Sequence, residues 1–391
     1  MGNVNITLAN GQLGATLQTN DGIAGMVLTG DTDGGGYAVG TPILITGTDN
    51  LVAQGITLAG NPFAYRQVKE FYDEGGPGAL LYLLLVPATL TVAQMADHAN
   101  AAGAKKLLNY GQGKIKVLGI MSDDTAVAAA VGVSVPLSNG LNGDVYTAAT
   151  NMAVLAADYF AAQKPFRAII GGTSYDDTPG DLTDITAGSA NNRTAILLGD
   201  TVTGVNACLG LLLGRMASIP VMRKVSRVRT GTISATAAWL GMATLETAAA
   251  DAAIIASKGF ITWTSYPTVA GYFFSGDGTC SATTNDYHFL ARGRVIDKAH
   301  ILAYATFVQE ADDEVPVNED GTLDAGFCKW LSQQIVNQVN NTMTANKEIS
   351  SVQCLIDPAQ NILSTNTLNV VLKIVPVGYA TDIEINLGFK N

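Results

Sequence analysis

The residue types that most often carry catalysis or hold metals are scarce in this chain and badly spaced for either task. Only three histidines occur, His98, His288 and His300. None falls in a His-Glu-x-x-His or other ligand spacing, so they read as packed or surface imidazoles. Cys208, Cys280, Cys328 and Cys354 lie far apart with no Cys-x-x-Cys pair, which reads as reduced, buried thiols. The acidic stretch from Asp312 to Gly321 has the look of a calcium loop. Counting back from Gly321, however, puts Pro316 at the first ligand position, where a side-chain oxygen is needed. A solvated turn leading to a helix cap at Asp324 fits better.

No Gly-x-Ser-x-Gly elbow, P-loop or Gly-x-Gly-x-x-Gly fingerprint is present. Gly171-Gly172-Thr173-Ser174 follows an expected strand, where α/β enzymes place functional loops. An α/β enzyme with a ligand site between Gly171 and Asp177 is therefore the alternative reading, set against an ordinary glycine turn. No catalytic, cofactor-binding or metal residue is assigned, and no cofactor is called for.

Charge is more informative. Between Asp200 and Glu246 there is no acidic residue, yet Arg215, Arg223, Lys224, Arg227 and Arg229 all fall there, in a chain of net charge −11. These cations either pair with distant carboxylates of the same chain or form a charged interface that meets an acidic face on a neighbour. The small pair Gly210 and Gly214, one helical turn apart, permits close helix packing.

The elements that must position these residues follow from periodicity and punctuation. Strands are expected over 22–30, 79–86, 114–121, 166–171 and 194–198. Helices are expected from Pro62 to Tyr72, within 91–110 and over 145–163, with a polar loop at 176–192. Alternating strands and helices of these lengths predict an α/β layer around a largely parallel sheet. Beyond 200, helices are expected over 205–217, 237–257, 290–307 and 324–345, and strands over 225–233, 260–264, 271–275, 351–355 and 367–375. At 391 residues the chain suits more than one domain. The expected division is an arm over 1–20, α/β domains over 21–200 and 201–378, and a second arm over 379–391.

Hydrophobic residues make up 48% and charged residues 14%, against roughly 25% charged in ordinary soluble domains. A surface with so few charges suits burial between subunits. Net negative charge argues against direct nucleic-acid binding, and no apolar run is long enough for a membrane span. The N-terminus lacks a signal-peptide layout, so synthesis in a cytoplasm is expected. Both ends alternate as strands do. Val4, Ile6 and Leu8 interleave with polar residues, as do Ile383, Ile385 and Leu387 ahead of Phe389. Strand-forming ends suit a protein that lends strands to its neighbours.

The string LGLLLGRMASIPVMRKVSRVRTG, from Leu209 to Gly231, resembles the central region of contractile tail sheath proteins of bacteriophages and related injection systems. Pro376-Val377-Gly378-Tyr379, the terminal Gly388-Phe389 and the opening Asp21-Gly22-Ile23-Ala24-Gly25 are similar to one phage-type subfamily. So is a long helix carrying Arg292, Arg294, Asp297 and Tyr304, followed by the Asp320-Gly321 turn. The resemblance implies a structural subunit without enzymatic activity. It would have a tube-facing C-terminal domain, a more variable outer domain, and N- and C-terminal arms that pair with neighbouring sheets. The partners implied are further copies of the chain in stacked, commonly hexameric rings, an inner tail tube protein, and baseplate and tail terminator proteins. Its place would be a virion tail or an extracellular contractile particle, assembled in the bacterial cytoplasm. Contraction would be a rigid-body rearrangement that drives the tube through an envelope.

Overall fold

The uninterrupted apolar run over 81–86 becomes a strand buried along its whole length, and the first half of the fold is built around it. The computed structural model describes residues 20–32, 36–188, 190–381 and 384. The N-terminal part comprises β1 (Ala24–Thr29), β2 (Ile43–Ile45), α1 (Thr48–Ala53), α2 (Pro62–Gly75), β3 (Leu81–Val86), α3 (Val92–Ala96) and α4 (Ala104–Gly111). β4 (Val117–Met121), α5 (Asp124–Val131), β5 (Leu137–Ser138), β6 (Leu141–Asn142), α6 (Gly143–Ala161), β7 (Arg167–Gly172) and β8 (Thr194–Leu198) follow. One six-stranded sheet forms in the order β2-β3-β1-β4-β7-β8. All neighbours are parallel except β2, which runs antiparallel to β3 at the edge.

Every residue of β1, β3, β4, β7 and β8 is buried, as expected when helices cover both faces of a parallel sheet. The β8 edge is not left open. Leu198 donates its N–H to the Ile261 carbonyl at 2.8 Å, Ile261 donates to Ile196 at 2.9 Å, and Cys280 donates to Thr194 at 2.8 Å. Covering an edge in this way removes a template for uncontrolled pairing.

The chain continues through α7 (Leu209–Ser218), the short pair β9 (Trp239–Leu240) and β10 (Ala243–Thr244), α8 (Ala249–Ser257), the hairpin β11 (Trp263–Tyr266) with β12 (Val269–Phe274), and α9 (Leu290–Phe307). α7 packs on α2 and on β1, β4 and β7. Its glycines allow this. A Cβ on Gly210 would lie 1.9 Å from the Gln67 carbonyl oxygen, and one on Gly214 would lie 2.5 Å from that of Phe71. The small-residue pair seen in the sequence is the contact face of this helix pair.

Contacts divide the chain into two units, Met1–Asp297 and Lys298–Asn391. The boundary expected near residue 200 falls inside the first unit, because α7 completes the cover of the sheet formed by residues before 200. The second unit contains α10 (Ala325–Val339), β13 (Ile349–Leu355), α11 (Ile362–Thr365) and β14 (Val371–Pro376). A small core of Leu323, Cys328, Leu331 and Ile356 holds it together. Asp324 caps α10 by accepting the Phe327 N–H at 2.8 Å.

Two expected elements differ. Residues 225–233 are a loop with one 3-10 turn at Val228–Thr230. The Gly231 and Thr232 carbonyls accept from the Arg215 guanidinium, at 3.1 and 2.7 Å, rather than from a neighbouring strand. The helix expected over 237–257 shortens to α8, because Trp239 exchanges backbone hydrogen bonds with Asp200 (2.9 and 2.8 Å) and Gly241 turns back at φ +58°. α5 was not expected, although Asp123 at its N-cap and Gly132 at φ +74° after its end mark its limits.

The close approach of α2 and α7 makes a direct prediction. Gly210→Ala should destabilise the first unit by about 1–3 kcal/mol or more through overpacking. Gly132→Ala, which meets nothing within 4 Å but carries a positive φ, should cost less. Thermal unfolding monitored by circular dichroism decides between them, and equal losses would refute the zero-clearance packing.

Candidate functional site

The basic block is resolved into two kinds of cation. Arg215 is buried within the first unit and sits 2.6 Å from Glu74 of α2. It is therefore an internal tether between α7, α2 and the 231–232 backbone, not part of an exposed face. Lys224 also points inward, 3.7 Å from the buried Asp277 and 3.4 Å from the Phe289 ring centroid. Asp277 in turn accepts the Ala291 N–H at the start of α9. Burial pushes the Asp277 carboxyl up and the Lys224 ammonium down, and their mutual attraction opposes both shifts. Arg223, Arg227 and Arg229 remain. Arg223 and Arg227 are half-buried and Arg229 is exposed.

Two further buried networks in this unit were not anticipated from the sequence. Arg167, the first residue of β7, forms a two-pronged pair with Asp297 of α9 at 2.7 and 2.9 Å and donates to the Gly293 carbonyl at 2.9 Å. Arg193 joins the same carboxylate at 3.1 Å. Gly293 is needed there, since a Cβ would lie 2.4 Å from the Arg167 guanidinium carbon. On α2, Arg66 clamps Asp200 at 2.7 and 2.8 Å, Thr201 donates to Glu70 at 2.6 Å, and Gln67 donates to the Ala207 carbonyl while accepting the Gly210 N–H. Residues 66, 67, 70 and 74 recur at helical spacing, which is the signal that could have marked this face as buried and polar.

The loop between Gly171 and Asp177 is tied in part to neighbouring polar groups, whereas among the described residues the buried Thr173 Oγ1 and Tyr175 hydroxyl find no hydrogen-bond partner. The buried Asp124 carboxylate accepts from Ser122 at 2.7 Å, from Asn142 at 3.0 and 3.1 Å and from Ser174 at 2.6 Å. A Cβ on Gly171 would lie 2.5 Å from the Met121 sulfur, and one on Gly172 would lie 2.9 Å from the Leu197 carbonyl oxygen. These glycines serve packing, and the Asp124 carboxylate is occupied by Ser122, Asn142 and Ser174. Buried His288 makes a 2.9 Å contact from Nδ1 to the Ser281 carbonyl, and burial lowers its pKa. His98 lies 3.3 Å from Asp158 at the surface. All four cysteines are free. Among the described residues no cluster of His, Cys, Asp and Glu could hold a metal, and no helix is long and apolar enough to cross a membrane.

In the second unit the open feature is the β13–β14 ribbon. It pairs antiparallel from Leu355↔Val371 to Ile349↔Pro376, and among the described residues no third strand joins it. Cys354 packs with the small core of this unit, and Val352, Leu372 and Ile374 are half-buried on the same face. Leu355, Val371 and Val375 lie on the other face with about half of their surface exposed (43%, 50% and 53%). Ser351, Gln353 and Lys373 share that face, and among the described residues neither edge of the ribbon is paired, which leaves a two-stranded ribbon incomplete by itself. The expected arm residues Val4, Ile6, Leu8, Ile383, Ile385, Leu387 and Phe389 lie outside the described residues.

The fold is shared, at low sequence identity, with proteins in structures of contractile particles. The chain is similar over 100% of its length, and 99% of the other chain, to a protein in the cryo-EM structure of the anti-feeding prophage (AFP) baseplate (TM-score 0.63, 13% identity). It is similar over 99% of its length to the AFP helical sheath in the contracted state (98% of that chain, TM-score 0.60, 12% identity). The sheath complex of PVC, an extracellular contractile injection system, also in the contracted state, gives 99% coverage of this chain and 97% of that one, with TM-score 0.60 and 12% identity. No curated protein sequence matches the chain. Residues 1–278 match the DUF2586 N-terminal domain and residues 286–391 the DUF2586 C-terminal domain, so the chain belongs to the DUF2586 family.

The α2 network yields a pH prediction. Burial, opposed by Arg66, pushes the Glu70 carboxyl up to about 7 from its usual 4.5. The folded state then holds a proton that the unfolded state releases, so this group's contribution to stability is present below about 4.5 and is lost as pH rises through 7. Glu70→Gln should match the wild type near pH 5 and exceed it at pH 8, by up to about 3 kcal/mol. Denaturant titrations at the two pH values measure this, and a pH-independent difference would refute it.

Proposed function

We propose that this chain is the subunit of a contractile sheath. The observation that carries the reading is the full-length similarity of fold to two contracted sheaths, and the β13–β14 ribbon, which no third strand joins among the described residues, is consistent with it. In this reading the ribbon is completed by strands from other copies, and the alternating segments at residues 1–10 and 380–391 supply them. Backbone hydrogen bonding then links subunits with little dependence on side-chain identity. Rings of subunits, commonly six, stack around an inner tube, with baseplate and terminator proteins at the ends.

The chemistry required is mechanical. Contraction moves each subunit as a rigid body while the arms stay attached. The internal pairs of the first unit suit this: Arg167 with Asp297, Arg66 with Asp200, and Arg215 with Glu74 connect distant stretches of chain. No catalytic step is assigned to any residue. Assembly would take place in the bacterial cytoplasm, and the finished particle would be a virion tail or an extracellular injection device.

Truncation tests the reading. Removing residues 1–10 or 380–391 should leave a folded subunit, with an unfolding temperature close to that of the intact chain, that no longer forms long cylinders in negative-stain electron microscopy. Cylinders from either truncated chain would show that the ends are not the linking strands. Failure of the intact chain to form cylinders with its tube protein present would count against a sheath.

A further inference from the structure

The three cations left outside internal ion pairs, Arg223, Arg227 and Arg229, lie on one loop. From Ile219 to Ile233 the chain runs without helix or strand apart from one 3-10 turn, yet it is tightly held. Val221 and Val225 are buried, Lys224 is drawn inward to Asp277 and Phe289, and the Arg215 guanidinium grips the Gly231 and Thr232 carbonyls. Two buried ion pairs thus fix a loop whose outward positions are Arg223, Arg227 and Arg229. Among the described residues none of the three forms an ion pair with a carboxylate. Arg223 and Arg227 are close enough to repel, and burial together with that repulsion lowers the Arg223 pKa. Holding like charges together on a rigid loop, partly out of water, is unfavourable in the isolated subunit and favourable once an anionic surface docks.

The chain carries a matching surface. Between Lys298 and Lys329 there is no lysine or arginine, and Glu310, Asp312, Asp313, Glu314, Glu319 and Asp320 crowd into eleven residues. All but Glu310 are exposed, and among the described residues none of the six is in an ion pair. The turn is shaped by its own bonds: Asp320 accepts from the Thr322 N–H and hydroxyl at 3.0 and 2.6 Å, and Asn361 donates to the Asp320 carbonyl at 3.1 Å.

We infer that the Arg223–Arg227–Arg229 ridge of one subunit docks on the Glu310–Asp320 turn of a second copy. The inference rests on the sheath reading for its biological setting, though the contact itself needs only two copies of the chain. Ridge and turn are different surfaces, so the contact is head-to-tail and leaves one of each free on every pair. That arrangement propagates into a ring or helix rather than stopping at a dimer.

Charge exchange tests it. One variant carries Arg223→Glu, Arg227→Glu and Arg229→Glu, a second carries Asp312→Lys, Asp313→Lys and Glu314→Lys, and a third combines all six. Circular dichroism and unfolding temperature confirm that each folds, and sedimentation velocity at low and high salt measures self-association alongside electron microscopy. Each triple variant should weaken self-association by roughly tenfold or more. The six-fold variant, and an equimolar mixture of the two triple variants, should recover it. Added salt should weaken the wild-type contact, as expected when exposed charges are screened beyond about 8 Å.

Recovery in neither case would overturn the pairing. Loss in the arginine variant alone, with the acidic variant unchanged, would also overturn it and assign the ridge to a different anion, such as the tube protein or a nucleic acid. Cylinders that form equally in both triple variants would refute this contact while leaving the sheath reading intact. Salt-sensitive small oligomers that respond to the exchange without ever forming cylinders would do the reverse.

Discussion

The first unit depends on how closely α7 lies to α2. Gly210 and Gly214 bring the two backbones together with no side chain between them. At that distance the polar groups of α2 cannot be solvated and must find partners across the interface. Gln67 bonds the start of α7, and Glu74 meets Arg215 near its end. Arg215, held by Glu74, then reaches the 231–232 backbone and fixes the course of the loop beyond Pro220. The display of Arg223, Arg227 and Arg229 at the surface is therefore a consequence of two glycines in a neighbouring helix. A single methyl group at Gly210 would act on helix spacing, on a buried ion pair and on a surface loop together.

The distribution of charge follows the same logic. With charged residues at only 14% of the chain, a large share of the cations is used internally: Arg66, Arg167, Arg193, Arg215, Lys224 and Lys298 all meet carboxylates. Buried pairs of this kind add little net stability over an apolar contact, but losing one partner is costly, so they enforce a single arrangement. Exposed charges of both signs occur elsewhere on the chain, but the 223–229 loop carries cations alone and the 310–320 turn carboxylates alone.

Much of the fold was legible in the sequence because its signals were local. The sheet strands, the Pro62 helix start, α9 and the Asp324 cap all rest on periodicity or on a capping residue within a few positions. The 225–233 stretch read as a strand because Val225, Val228 and Ile233 suggest one. Its fate was decided by Arg215, ten or more residues away in sequence and attached to another helix, which no local pattern can report. The same limit applies to the basic block. Composition showed that cations cluster, but separating Arg215 and Lys224 from the three displayed arginines required knowing where Glu74 and Asp277 lie. Arg167 and Asp297, 130 positions apart, carry no sequence signal beyond the presence of an arginine at a strand start.

Open edges and closed interiors divide the labour between the two units. In the first, the sheet edge at β8 is covered by the Ile261 and Cys280 backbone, and the edge at β3 by the short antiparallel β2. In the second, no third strand joins the β13–β14 ribbon among the described residues, and its outer face exposes Leu355, Val371 and Val375 beside Ser351, Gln353 and Lys373. An isolated ribbon of two strands is at best marginally stable in water, and α10 supports only one side of it. Such a surface would be an aggregation hazard in a free subunit and is stabilised only when strands are added to it. Among the described residues the ribbon therefore lacks the cover that the first unit gives its β8 edge, and strands added to it would supply that cover.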